Sequence, residues 1–191
     1  LDVWREAVGE DEAKRISERA SAFGTVIHGL AERYLLGKIE PDELVADKRT
    51  QVAFTALKQV LDANVNVVRG LELGLYSTLL GTAGTSDLLC MWNGVPSIVD
   101  FKTSSRVKHR QEIDGYFTQA TIYSMMAEEL TGIKFEQLVI LLIPMDDNEV
   151  IVFSESRTPE GCEEARRMCH EYHKINNGGS SDYVDRLAGI I

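Results

Sequence analysis

The sequence predicts a single α/β domain, a mixed central β-sheet flanked by helices, and two observations lead there. The hydrophobic period is helical up to residue 63, turns strand-like from Val65, and then gives a helix, two strands and a last helix. The apolar runs Leu88-Leu89-Cys90-Met91-Trp92 and Ser97-Ile98-Val99 are joined through Asn93-Gly94, the residue pair that two-residue hairpin turns favour. With 191 residues, 44% of them hydrophobic and 26% charged, the chain suits one domain with a sizeable core. The expected division is a helical region over 1–63, a core over 64–176 and a tail over 177–191.

Taken in order, residues 2–8 read as a short helix anchored by Trp4 and ended by Gly9. Residues 10–23 are helical, with Ala13, Ile16, Ala20 and Phe23 forming a narrow apolar stripe. Gly24-Thr25 is expected to interrupt this helix, and 26–36 continues it with His28 near its start and Gly37 closing it. Pro41 marks a linker, and 48–63 is an amphipathic helix through Val52, Leu57, Val60 and Leu61. Val67, Leu71, Leu73, Leu75 and Tyr76 suit a strand, with Gly70 and Gly74 as bulge or bend positions. Gly81 and Gly84 are expected to bracket a turn before the next strand.

Apolar residues at Ile113, Tyr116, Phe117, Ala120, Tyr123, Ala127 and Leu130 give 112–130 helical spacing, ended by Thr131-Gly132. A buried strand over 138–143 stops at Pro144, and Asp146-Asp147-Asn148 reads as a hairpin turn into 150–153. Pro159 opens a final helix through about residue 175, and Asn177-Gly178-Gly179-Ser180-Ser181 reads as a flexible tail. No repeat and no second domain is evident.

The chemistry concentrates around Ser97-Ile98-Val99-Asp100-Phe101-Lys102-Thr103-Ser104. Side chains alternate along a strand, so Asp100 and Lys102 share a face. A carboxylate and an ammonium on a core strand are costly to desolvate unless they meet each other or a polar cleft. The hairpin also brings Asp87, which opens the preceding strand, toward Asp100. Hard divalent cations take oxygen ligands and often need only one or two carboxylates beside substrate phosphates. Asp87 and Asp100 fit that role, with the Phe101 backbone carbonyl as a third oxygen and Lys102 to orient a water or neutralise charge. Gln119 and Tyr123 lie four apart on one helix face, and a buried Gln119 needs a partner.

The ordered set Gly24-Thr25-Val26-Ile27-His28, Gly84-Thr85-Ser86-Asp87, Asp100-Phe101-Lys102 and Gln119 to Tyr123 resembles the PD-(D/E)XK nuclease superfamily in its RecB-like exonuclease branch. The resemblance covers about half the chain. It implies a restriction-endonuclease-like core, with His28, Asp87 and Asp100 as metal ligands and Lys102 as the catalytic lysine. Gln119 and Tyr123 would shape the site or contact DNA, Thr103 and Ser104 would extend it, and Glu72 stands where many relatives carry a strand glutamate. The implied activity is an Mg²⁺- or Mn²⁺-dependent deoxyribonuclease acting as an exonuclease on single-stranded DNA ends. A structure-specific endonuclease and a catalytically silent DNA-end-binding module are the alternatives.

Composition bears on these expectations. The formal net charge of −10, from 30 acidic and 20 basic residues, argues against tight nonspecific duplex binding. Local positive potential is expected from Arg106, Lys108, His109 and Arg110, just after the Lys102 strand, and from Lys14, Arg15 and Arg19. Tyr116, Phe117 and Trp4 are candidates for stacking on bases. The three cysteines, Cys90, Cys162 and Cys169, lack CxxC spacing, which points to a reducing, intracellular compartment, and no iron–sulfur cluster is expected. No apolar run reaches the roughly 20 residues of a membrane span, so no membrane partner is expected. The sequence leaves the oligomeric state open.

Overall fold

The structure, a computed structural model, describes residues 9–38, 47–145 and 147–176. Two helices, α1 (Glu10–Leu35) and α2 (Lys48–Asn64), precede strands β1 (Val65–Ser77), β2 (Thr82–Trp92) and β3 (Val95–Ser104). A 3-10 turn (Arg110–Glu112) leads into α3 (Asp114–Thr131), followed by β4 (Gln137–Pro144), β5 (Ile151–Ser156) and α4 (Pro159–Asn176). The five strands form one sheet in the order β1-β2-β3-β4-β5. Among the described residues only β3 and β4 run parallel, with α3 as the crossover a parallel pair requires. The sheet is therefore mixed, as the sequence predicts. Among the described residues no helix is long and apolar enough to cross a membrane.

Helices cover both faces of the sheet. Ile27 of α1 and Phe54, Leu57 and Leu61 of α2 pack on Val99, Phe101, Leu88 and Leu141. On the other face Ala120, Tyr123 and Met126 of α3 pack on Leu89, Ile98 and Ile140. Alternation along β3 thus sends Val99 and Phe101 to one layer and Ile98 to the other. The β2–β3 turn has Asn93 at φ 50° and Gly94 at φ 82°, left-handed at both positions as a type I′ hairpin needs. Asp47 caps α2, its carboxylate accepting from the N–H groups of Arg49 (3.0 Å) and Thr50 (3.2 Å).

Two glycines serve purposes other than those expected. Gly24 does not break the first helix, and α1 is continuous over 26 residues. The buried stripe Phe23, Ile27, Leu30 and Ala31 runs through it in phase, and one glycine costs a helix only about 1 kcal/mol. What needs Gly24 is proximity: a Cβ there would lie 2.9 Å from Thr103 Oγ1 at the end of β3. Gly84 likewise lies inside β2, opposite Leu75, and not in the turn. Gly81, at φ 64°, holds that turn. Gly70 marks a register shift in β1 as expected, whereas Gly74 pairs regularly with Thr85. The expected helix over 2–8, Trp4, the Pro41 linker, Asp146 and the 177–191 tail lie outside the described residues.

Candidate active site

The site forms where β2 and β3 part. Their antiparallel pairing runs from Trp92↔Val95 to Leu88↔Val99, and the next residues along are Asp87 and Asp100. There the Phe101 N–H donates to Asp87 Oδ2 at 2.6 Å, so a side-chain carboxylate stands where a strand carbonyl would. The opening lies between the two helical layers, and both contribute to it.

From α1 comes His28, with Nδ1 3.5 Å from Asp87 Oδ1 and 3.9 Å from Glu72 Oε1. Its ring stands edge-on to Phe101 at 5.6 Å, which fixes its orientation. From β1 comes Glu72, between the pairs Leu71↔Leu88 and Leu73↔Ser86. Glu72 has φ 43°, uncommon for a residue with a Cβ and of the kind that collects at functional sites. One donor atom each from His28, Glu72 and Asp87 lie within 4.8 Å of one another.

Asp100 stands beside this group rather than in it. It is 2% exposed, and Lys102 Nζ lies 2.6 Å from its Oδ2. Among the described residues this ion pair is the one polar contact of Oδ2, which is otherwise buried. The metal-ligand set expected from sequence therefore divides. His28 and Asp87 meet Glu72, while Asp100 meets Lys102.

The carboxylates crowd one another. Burial pushes the Asp100 carboxyl up to about 6, and the Asp87 charge adds to this against the opposing pull of Lys102. Glu72 is raised by burial and by Asp87. For His28 burial opposes the charged form, but the hydrogen bond and charge of Asp87, with Glu72 and Asp100 behind, outweigh it and raise the imidazole above its usual value.

Behind the carboxylates runs a polar relay into α3. Lys102 Nζ donates to Gln119 Oε1 at 3.0 Å, and Gln119 Nε2 donates to the Tyr123 hydroxyl at 2.8 Å. Gln119 is half-buried, and these two bonds are the partners its amide needs. Tyr123 in turn lies over Gly84, where a Cβ would come within 2.8 Å of its ring. The glycine of Gly84-Thr85-Ser86-Asp87 and the tyrosine four after Gln119 are thus one packing contact.

The loop after β3 is only partly available to a ligand. Arg106 pairs with Glu112, and Arg110 pairs with Glu155 and Asp114 while stacking over Phe117 at 4.3 Å. Lys108 Nζ donates instead to the Tyr116 hydroxyl at 2.5 Å. Phe117 is buried and cannot stack on a base, whereas Tyr116 is half-buried. Thr103 meets α1 at Gly24, and Ser104 is buried with its carbonyl accepting from Met145 N–H. Lys14 and Arg15 on α1 lie 3.9 Å from Glu18 and Glu12. Outside the acidic group opens a cleft of about 470 Å³ lined by Gly24, Thr25, His28, Gly29, Glu32 and Glu72. Glu32, which lines this cleft, carries no local sequence signal beyond lying one turn after His28.

The sequence matches no protein-family model and no curated protein. Among solved structures it is similar to one named "Putative exonuclease" from Eubacterium rectale, at 15% identity with a TM-score of 0.54. The alignment covers 83% of this chain and 69% of that one. What is shared is the fold. A second structure, SSO0001, aligns over 82% of this chain and 70% of its own at 16% identity, with a TM-score of 0.41.

Proposed function

We propose that this chain is a divalent-metal-dependent deoxyribonuclease of the PD-(D/E)XK superfamily, RecB-like branch, hydrolysing phosphodiester bonds at single-stranded DNA ends. The observation that carries the proposal is the convergence of His28, Glu72 and Asp87 beside the buried Asp100–Lys102 pair. The fold shared with a protein named as an exonuclease supports it.

The donor set fits a hard divalent cation. Carboxylate and carbonyl oxygens suit Mg²⁺ or Mn²⁺, with the His28 imidazole as the one nitrogen donor, and Asp100, paired through Oδ2 with Lys102, stands beside them. His28, Glu72, Asp87 and Asp100, with the Phe101 carbonyl, are the residues to hold it. Bound there, such an ion supplies Lewis-acid polarisation of the phosphate and a nucleophilic water at neutral pH.

The chain supplies the rest. Lys102 presents an ammonium whose direction is fixed by Asp100 on one side and Gln119 on the other. It faces the charge that develops on the phosphate as the water oxygen bonds to phosphorus and one P–O ester bond breaks. Gln119 and Tyr123 keep that ammonium from swinging away. Acidic walls repel a polyanion, so DNA enters only with the cation and the lysine offsetting them.

Asp100→Ala and Lys102→Ala should each lower cleavage by at least ~100-fold, while circular dichroism shows a folded protein. The assay is an end-labelled single-stranded oligonucleotide in Mg²⁺ or Mn²⁺, with its 5′ and 3′ ends blocked in turn. Blocking one end should stop digestion. Cleavage of covalently closed single-stranded circles would assign endonuclease action instead, and full activity in Lys102→Ala would remove the lysine from the mechanism.

A further inference from the structure

Of the three cations following β3, two are already committed. Arg106 is neutralised by Glu112, and Arg110 by Glu155 and Asp114. Lys108 differs. Among the described residues it makes no ion pair with a carboxylate, and its ammonium donates to the Tyr116 hydroxyl at 2.5 Å. That ammonium also lies 4.9 Å from the centre of the Tyr116 ring, and the Lys102 ammonium lies 5.3 Å from the same centre.

A half-buried ammonium without a counter-ion is costly, and the face of an aromatic ring offsets only part of that cost. Two ammonium groups around one ring also repel each other. Lys102 has Asp100 to offset this, whereas Lys108 has only a hydroxyl and a π-face. An anion seated beside Tyr116 would meet Lys108 directly and turn that repulsion into attraction. The anion in reach of a substrate strand at Lys102 is a neighbouring backbone phosphodiester.

From this we infer that Lys108 binds a phosphate of the nucleic-acid strand next to the scissile one, and that Tyr116 is its positioning residue. The inference rests on the nuclease reading and adds to it the residue that sets strand register. Lys108 touches substrate but not the reacting atoms, so it acts on binding. Tyr116 acts through Lys108, holding its ammonium toward the strand. Arg106 and Arg110 shape the loop without meeting the strand.

The test is fluorescence anisotropy of a labelled oligothymidylate in Ca²⁺ across a salt series, alongside steady-state cleavage in Mg²⁺. Lys108→Ala should reduce the slope of log K against log salt by about 0.7, the value of one single-strand phosphate contact. It should raise KM about tenfold or more and leave kcat in place. Lys108→Arg should restore the slope, and Lys174→Ala on α4 serves as a remote control. Tyr116→Phe should weaken binding with the slope retained, and should cost nothing further in the Lys108→Ala background.

An unchanged slope in Lys108→Ala, with wild-type protein binding and cutting normally, overturns this inference and leaves the nuclease reading standing. A larger slope change in Arg106→Ala than in Lys108→Ala also overturns it, because the contact then belongs to a paired arginine. Wild-type protein that neither binds nor cuts the strand overturns both.

Discussion

At the scale of single residues, Asp100 carries the largest electrostatic burden in the site. Its folded-state value is raised to about 6 by burial and the Asp87 charge, above the roughly 3.9 of an unfolded aspartate. A raised folded value means the contribution to stability is fully present below the unfolded value and is lost as pH rises through about 6. Asp100→Asn keeps the shape and removes the titration. In metal-free protein the melting temperature of wild type relative to Asp100→Asn should therefore fall between about pH 4 and pH 7. Parallel pH profiles for the two proteins would count against a buried, strained carboxylate. Residue identity was legible here: Asp100 and Lys102, two apart on an apolar strand, announce one polar face. Glu72 entered only through the resemblance, and its meeting with His28 and Asp87 was not legible, because it depends on how β1, β2 and α1 pack together.

At the scale of elements, helical and strand periods identified most of the chain, and the Asn93-Gly94 pair placed the β2–β3 hairpin. The two misread glycines share one cause. A glycine in sequence looks like a break, yet Gly24 and Gly84 mark places where another element comes close, and sequence spacing carries no trace of the partner. Gly84 permits a direct test, since it seats α3 on β2 through Tyr123. In Gly84→Ala the new methyl would stand 2.8 Å from the Tyr123 ring, and the ring must move. Gln119 then loses the hydroxyl that orients it, and Lys102 loses a fixed acceptor. The expected result is a drop in kcat of about tenfold, with DNA affinity nearly kept and a loss of stability of about 1–3 kcal/mol. Tyr123→Phe, which removes the hydroxyl without moving the ring, should reproduce the kcat loss and cost stability only through the lost Gln119 hydrogen bond, about 1 kcal/mol. Equal kcat in wild type and Gly84→Ala would break the link from β2 to the lysine.

At the scale of the whole molecule, 30 acidic residues against 20 basic ones leave the chain at −10, and part of that excess converges on one opening between β2 and β3. A cation bound only by the folded arrangement stabilises it by mass action, about 2.7 kcal/mol at a hundredfold excess over Kd. For a chain of this size that is a rise of roughly 5–10 °C in Tm. Asp87→Asn and Glu72→Gln should each remove most of the rise, since both supply donors to the same group. The pH dependence follows from His28, whose pKa is raised by Asp87 against the effect of burial. A proton on Nδ1 competes with the cation, so the rise is full above the raised pKa and shrinks as pH falls through it. His28→Ala should bind more weakly and lose the imidazole's share of that dependence, leaving the share of Asp100 and Glu72, whose carboxyls are also raised. An Mg²⁺-induced rise of the same size in the Asp87→Asn, Glu72→Gln double variant would mean that the ion is held by scattered surface carboxylates. The strand split would then hold no specific ion, and net charge alone would account for the stabilisation.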